Sequence, residues 1–214
     1  MGPQSHLRGG TGGTDTSVNR LLSIAMAAGV LAMSACSDAP AEQGPDADTV
    51  LVGSMNAWIA ENFQGAQDRP FTLVRTTQET VTPCGTAPLD LYPFYCRGNE
   101  TVYWPGKAPL PDDEVARHLV ISHEAAHHIM EVSATSPIDR MLSERRADCY
   151  AGAWLTHAQD IGLLDAGELG GQIEDVFILT PRGGAYMDPA ARSADVMTGV
   201  ESGAAACQKM GARA

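Results

Sequence analysis

The run His123-Glu124-Ala125-Ala126-His127 constrains this chain most, because on a helix two histidines four apart can serve one ion from the same face. On an α-helix they are separated by about 40° around the axis and about 6 Å along it, so their imidazoles converge from one face. Glu124 stands beside the pair and off the line of ligation. There a carboxylate can take a proton from an activated water and return it to a leaving amine. The local sequence suits a helix: Asp112, Asp113 and Glu114 put negative charge at its start, and Val115, Leu119, Val120, His123, Ala126, His127 and Met130 share an inward arc. His128, about 100° around from its neighbour, is expected to pack or hydrogen-bond. His118 and His157 read as core or solvated histidines.

A catalytic zinc needs a third protein ligand and one open position. Glu144, in the run Glu144-Arg145-Arg146-Ala147-Asp148, is the candidate. Ser136-Pro137 makes a credible N-cap and first-turn pair, predicting a helix from Pro137 to Ile161. A short connection near Val132 to Ser136 would set this helix antiparallel to the histidine helix and bring Glu144 opposite the pair. Asp148, one turn later, could accept the remaining N–H of a ligating histidine and fix its tautomer. The competing reading has Glu144 and Asp148 in surface contacts with neighbouring arginines.

Upstream, Leu51, Met55, Trp58, Ile59 and Phe63 keep a helical period, so a first amphipathic helix is expected from Thr49 to Phe63. Phe71 to Val81 is β-prone. Pro93 to Cys96 and Thr101 to Trp104 flank Arg97-Gly98-Asn99-Glu100 as a hairpin. After Pro111 everything reads as helix, with further segments at Ala166 to Leu179 and Pro189 to Gly203. The expected fold class is α+β: a small antiparallel sheet or hairpin, then a mainly helical part carrying the histidine helix and the third-ligand helix.

The N-terminus reads as an address. Arg8 and Arg20 precede an apolar run from Leu21 to Met33, too short to span a membrane but suited to the hydrophobic region of a signal peptide. It ends in Met33-Ser34-Ala35-Cys36, which resembles a lipoprotein cleavage site that would make Cys36 the lipidated first residue; an ordinary secretory cut near Ala35 and a buried helix are the alternatives. Residues 1–35 are therefore read as a leader, 36–48 as a polar tether and 49–214 as the domain. A formal charge of −12 with no Lys- or Arg-rich run argues against a nucleic-acid partner. Five cysteines are an odd count for a disulfide framework, and setting Cys36 aside leaves four.

These blocks together resemble the bacterial neutral zinc metallopeptidases. They are Cys84-Gly85, Pro93-Phe94-Tyr95-Cys96 with Thr101-Val102-Tyr103, His123 to His128, Glu144 to Gly152 with Trp154, and Gly199 to Cys207. The likeness spans about residues 50 to 207 and implies a gluzincin-like, zincin-type fold with one Zn2+ per chain. It implies His123, His127 and Glu144 as ligands, Glu124 as general base, Asp148 behind the ligands, and hydrolysis of peptide bonds. It also implies disulfides joining Cys84 to Cys96 and Cys149 to Cys207, with free buried thiols as the alternative. The chain departs from the family at Ala126, where glycine is usual, and at Pro181 to Asp188, which replaces an H-G-T segment.

By analogy with zincins, the strand around Thr101 to Trp104 would offer its edge to an extended peptide. Tyr103, Tyr150 and His157 are left as unassigned candidates for oxyanion stabilisation. The expected function is a zinc endopeptidase in the cell envelope, acting on protein or peptide and held to the membrane through lipid on Cys36. The alternative is a non-catalytic envelope lipoprotein with a structural or vestigial zinc site, acting by binding another protein. A redox role finds no C-x-x-C to support it.

Overall fold

The computed structural model describes residues 46–88, 92–108, 113–165, 167, 169–179 and 188–211. The leader, Cys36 and all of the 181–188 segment except Asp188 lie outside the described residues. The described residues all belong to one unit, Gln43–Ala214.

The first helix, α1 (Ala47–Asn62), starts where the Asp46 carboxylate accepts the Thr49 N–H at 2.9 Å, two residues inside the stretch read as tether. An N-cap aspartate outweighs the polar composition around it. Leu51, Met55, Trp58 and Ile59 form its buried face.

Five short strands follow among the described residues: β1 (Thr72–Thr76), β2 (Thr80–Thr82), β3 (Gly85–Ala87), β4 (Phe94–Cys96) and β5 (Thr101–Pro105). The expected hairpin is β4 against β5, antiparallel, with Tyr95 opposite Val102. The sheet is not wholly antiparallel, however, because β1 joins β5 in parallel in the order β1-β5-β4. This places Thr101 to Trp104 on the central strand, so the expectation that this strand offers an edge is wrong; β1 and β4 are the edges. The β2 and β3 strands form a separate two-stranded ribbon. The Cys84–Cys96 disulfide joins the turn of that ribbon to the end of β4, rather than stapling one hairpin.

The rest is helical: α2 (Glu114–Val132), α3 (Arg140–Asp160), α4 (Leu169–Leu179), α5 (Pro189–Ser202) and a short α6 (Ala204–Lys209) not expected from the sequence. Asp113 caps α2 and Asp188 caps α5. The third-ligand helix begins at Arg140, because Asp139, not Ser136, accepts the first-turn N–H groups of Met141 and Leu142. The architecture is thus mixed α+β, with small sheets and several helices.

The core gathers α1, the inner face of β5, and α2 to α5 around Trp154, with Trp58 edge-on to Trp154 at 5.8 Å and Phe63 edge-on to Tyr150 at 5.3 Å. The α3 and α5 helices meet at their backbones, since Gly152 faces the Val196 carbonyl and Gly199 faces that of Cys149. The Cys149–Cys207 disulfide then ties α6 to α3. The two disulfides fit an oxidising, extracytoplasmic environment. Among the described residues no helix is long and apolar enough to cross a membrane.

His118 carries a pH prediction. It is buried against Trp154, its Nδ1 has no hydrogen-bond partner among the described residues, and burial pushes its pKa down to about 4. With the folded value below the unfolded one, the unfolded chain binds the proton first. The contribution is intact above about pH 6.5 and is lost as pH falls toward 4. Urea melts at pH 7 and pH 5 are expected to show a smaller loss for His118→Leu than for the unsubstituted chain; equal losses would place the acid sensitivity elsewhere.

Candidate metal centre

Two helices build the site. The α2 helix supplies His123, Glu124 and His127, and α3 supplies Glu144 and Asp148. The 3.6-residue period puts both histidines on the α2 face turned to α3. The structure brings together one donor atom each from His123, His127 and Glu144, all within 4.8 Å of one another. Glu144 Oε2 lies 3.3 Å from His123 Nε2 and 3.9 Å from His127 Nε2. Around a tetrahedral ion with bonds of about 2.0–2.1 Å, neighbouring donors stand about 3.3 Å apart. Two imidazoles and one carboxylate with these separations can therefore hold a divalent metal ion with only small side-chain adjustment. His123 is buried, whereas the His127 and Glu144 side chains are 20% and 16% exposed, so the group opens to solvent on one side.

Asp148, fully buried, accepts the Nδ1–H of His123 at 2.7 Å, which turns Nε2 toward Glu144. Burial alone would raise the Asp148 carboxyl, but the charges and hydrogen bonds of His123 and Arg192 hold it below the usual carboxylate value. Arg192, from α5, grips the other side of Asp148, with Nε to Oδ2 at 2.9 Å and Nη2 to Oδ1 at 2.6 Å. Its guanidinium lies 4.1 Å over the Phe177 ring. Sequence reasoning missed Arg192. Its one hint was the helical spacing to Val196 and Gly199, which puts all three on one face of α5.

Glu124 is buried and its Oε2 accepts the backbone N–H of Tyr95 at 2.9 Å, linking α2 to the edge strand β4. His128 does hydrogen-bond. Its Nε2–H donates to the Arg69 carbonyl at 2.7 Å, leaving Nδ1 to accept from the Tyr95 hydroxyl at 3.0 Å. Burial lowers the His128 pKa and pushes that of Tyr95 up to about 12.

Among the remaining candidates, Tyr150 is buried in the core and Tyr103 accepts from Asn99 Nδ2 at 2.9 Å. His157 lies against Trp58 and Trp154. Ala126 is fully buried within the hydrophobic core.

No protein-family model matches the chain, and no solved structure does. Two curated proteins are similar, each 32% identical over a 112-residue alignment: the uncharacterized protein YpfJ of Escherichia coli strain K12 and that of Escherichia coli O6:H1 strain CFT073. The alignment covers 42% of this chain and 39% of each relative, so the chain spans well under half the length of the curated proteins it matches.

Proposed function

We propose that this chain is a zinc-dependent endopeptidase of the cell envelope, similar to the bacterial neutral zinc metallopeptidases and built on a zincin-like pair of helices. The convergence of His123, His127 and Glu144, with Glu124 next to His123 along the same helix, carries this reading. Two imidazoles and one carboxylate are a donor set of catalytic zinc sites, whereas structural sites close with four protein ligands. When bound, zinc supplies Lewis acidity to a scissile carbonyl and makes a water molecule more acidic.

The chain's own residues do the rest. His123, His127 and Glu144 hold the ion, and Asp148 keeps His123 in the Nδ1–H tautomer. Glu124 accepts the water's proton at its carboxylate and delivers it to the leaving amine, while the Tyr95 N–H fixes that carboxylate through Oε2. Lipid on Cys36 would hold the domain at a membrane surface, and its substrates would be proteins or peptides of that compartment.

Purified protein is expected to carry one zinc per chain by mass spectrometry. Dialysis against a chelator should remove both the zinc and casein hydrolysis, and added zinc should restore both. Protein that takes up no zinc, or that holds zinc yet cleaves nothing in a broad peptide library, would overturn the proposal. In the second case the non-catalytic envelope reading gains.

A further inference from the structure

We propose that Arg192 is a positioning residue of the metal centre, gripping both oxygens of Asp148 so that the His123 ring is held in the orientation the ion requires. The inference rests on the metal-site reading and deepens it.

A carboxylate that meets a single imidazole can still turn about its Cβ–Cγ bond, and the imidazole can turn with it. Asp148 has no such freedom. Its Oδ1 receives both His123 Nδ1–H, at 2.7 Å, and Arg192 Nη2, at 2.6 Å, while its Oδ2 receives Arg192 Nε at 2.9 Å. Two donors from one planar guanidinium fix the plane of the carboxylate. The position of Oδ1 then dictates where the His123 N–H must point, and therefore where the opposite ring nitrogen points. Asp148 is fully buried, so solvent is poorly placed to take over from the arginine.

Arg192 is itself held from a second side. It is 9% exposed and its guanidinium lies over Phe177 of α4. Its backbone is placed by the close approach of α5 to α3 at Gly199 and Gly152. Orientation thus passes from α4 and α5 through Arg192 and Asp148 to a ligand on α2.

A second ion pair between the same helices provides the control. Arg145 of α3 donates to both oxygens of Asp195 of α5, at 3.0 and 2.9 Å. It ties the helices together without engaging Asp148.

The test measures metal affinity on the full chain, by zinc competition against a chromophoric chelator and by the visible absorption spectrum of the cobalt-loaded protein. Arg192→Met is expected to weaken zinc binding about 10- to 100-fold and to alter the cobalt spectrum, the effect typical of losing a group behind a metal ligand. Arg192→Lys keeps the charge without the fork and is expected to fall between, by roughly 3- to 10-fold, since a point charge fixes no plane. Arg145→Gln is expected to lower the melting temperature while leaving zinc affinity within about twofold, because its guanidinium closes on Asp195 and not on Asp148.

Unsubstituted affinity and spectrum in both Arg192 variants would overturn the proposal while leaving the metal site standing. So would an Arg145→Gln loss as large as that of Arg192→Met, which would assign the effect to helix docking. If Arg192→Met fails to fold, the lysine variant decides. If the unsubstituted chain binds neither zinc nor cobalt, the metal reading falls and this inference falls with it.

Discussion

On the proposed function, Glu124→Gln is expected to retain zinc binding and to lose peptide hydrolysis by about 10²- to 10⁴-fold, the range associated with removing a general base. Glutamine has nearly the shape of glutamate, and its amide oxygen can still accept the Tyr95 N–H that now meets Oε2 at 2.9 Å. The side chain is not among the three donors that converge, so the ion has no reason to leave. What disappears is the capacity to hold a proton between the water and the leaving amine. Steady-state turnover of a fluorogenic peptide, with zinc content measured on the same samples, separates the outcomes. Full zinc with unreduced turnover means another group is the base. Loss of zinc means Glu124 supports the site in a way its geometry does not reveal.

Gly199→Ala is expected to destabilise the fold by about 3 kcal/mol or more, although alanine is the better helix former by about 1 kcal/mol. A Cβ at Gly199 would stand 1.8 Å from the Cys149 carbonyl oxygen and 2.7 Å from the Ala153 nitrogen. One at Gly152 would stand 1.9 Å from the Val196 oxygen. These neighbours are backbone, so no rotamer change relieves the overlap and the helices must separate. Separation would also draw Arg192 away from Asp148. Urea melts of Gly199→Ala, Gly152→Ala and the double variant should show each single substitution costly and the pair less than additive, because helices already parted by one methyl lose less to the next. A single substitution that changes stability by under about 0.5 kcal/mol would show that the helices can part cheaply.

The histidine helix, the negative charge at its start and the pairing of β4 with β5 were legible in the sequence because each is local. A 3.6-residue period, a charge at a helix start and a turn between two β-prone runs need no knowledge of the rest of the chain. The third-ligand helix was legible in kind but not in its start. Ser136-Pro137 and Asp139 are both good starts, and only the folded chain shows which carboxylate or hydroxyl reaches the free N–H groups.

The parallel pairing of β1 with β5 was not legible, because alternation marks a strand but does not name its partner. Glycine is a poor helix former, and the use of Gly152 and Gly199 is visible only once two backbones are seen to touch. Arg192 was hidden for the same reason. A buried arginine is recognised by what it reaches, and Asp148 lies 44 positions away in the chain.

All three converging donors stand on α2 and α3, within helices packed into the core rather than on loops. Nothing in that arrangement requires the ion to fold the chain. Under the proposed function, a shortage of metal would then leave intact, vacant molecules rather than unravelled ones, and activity would return at the speed of ion uptake instead of the speed of synthesis.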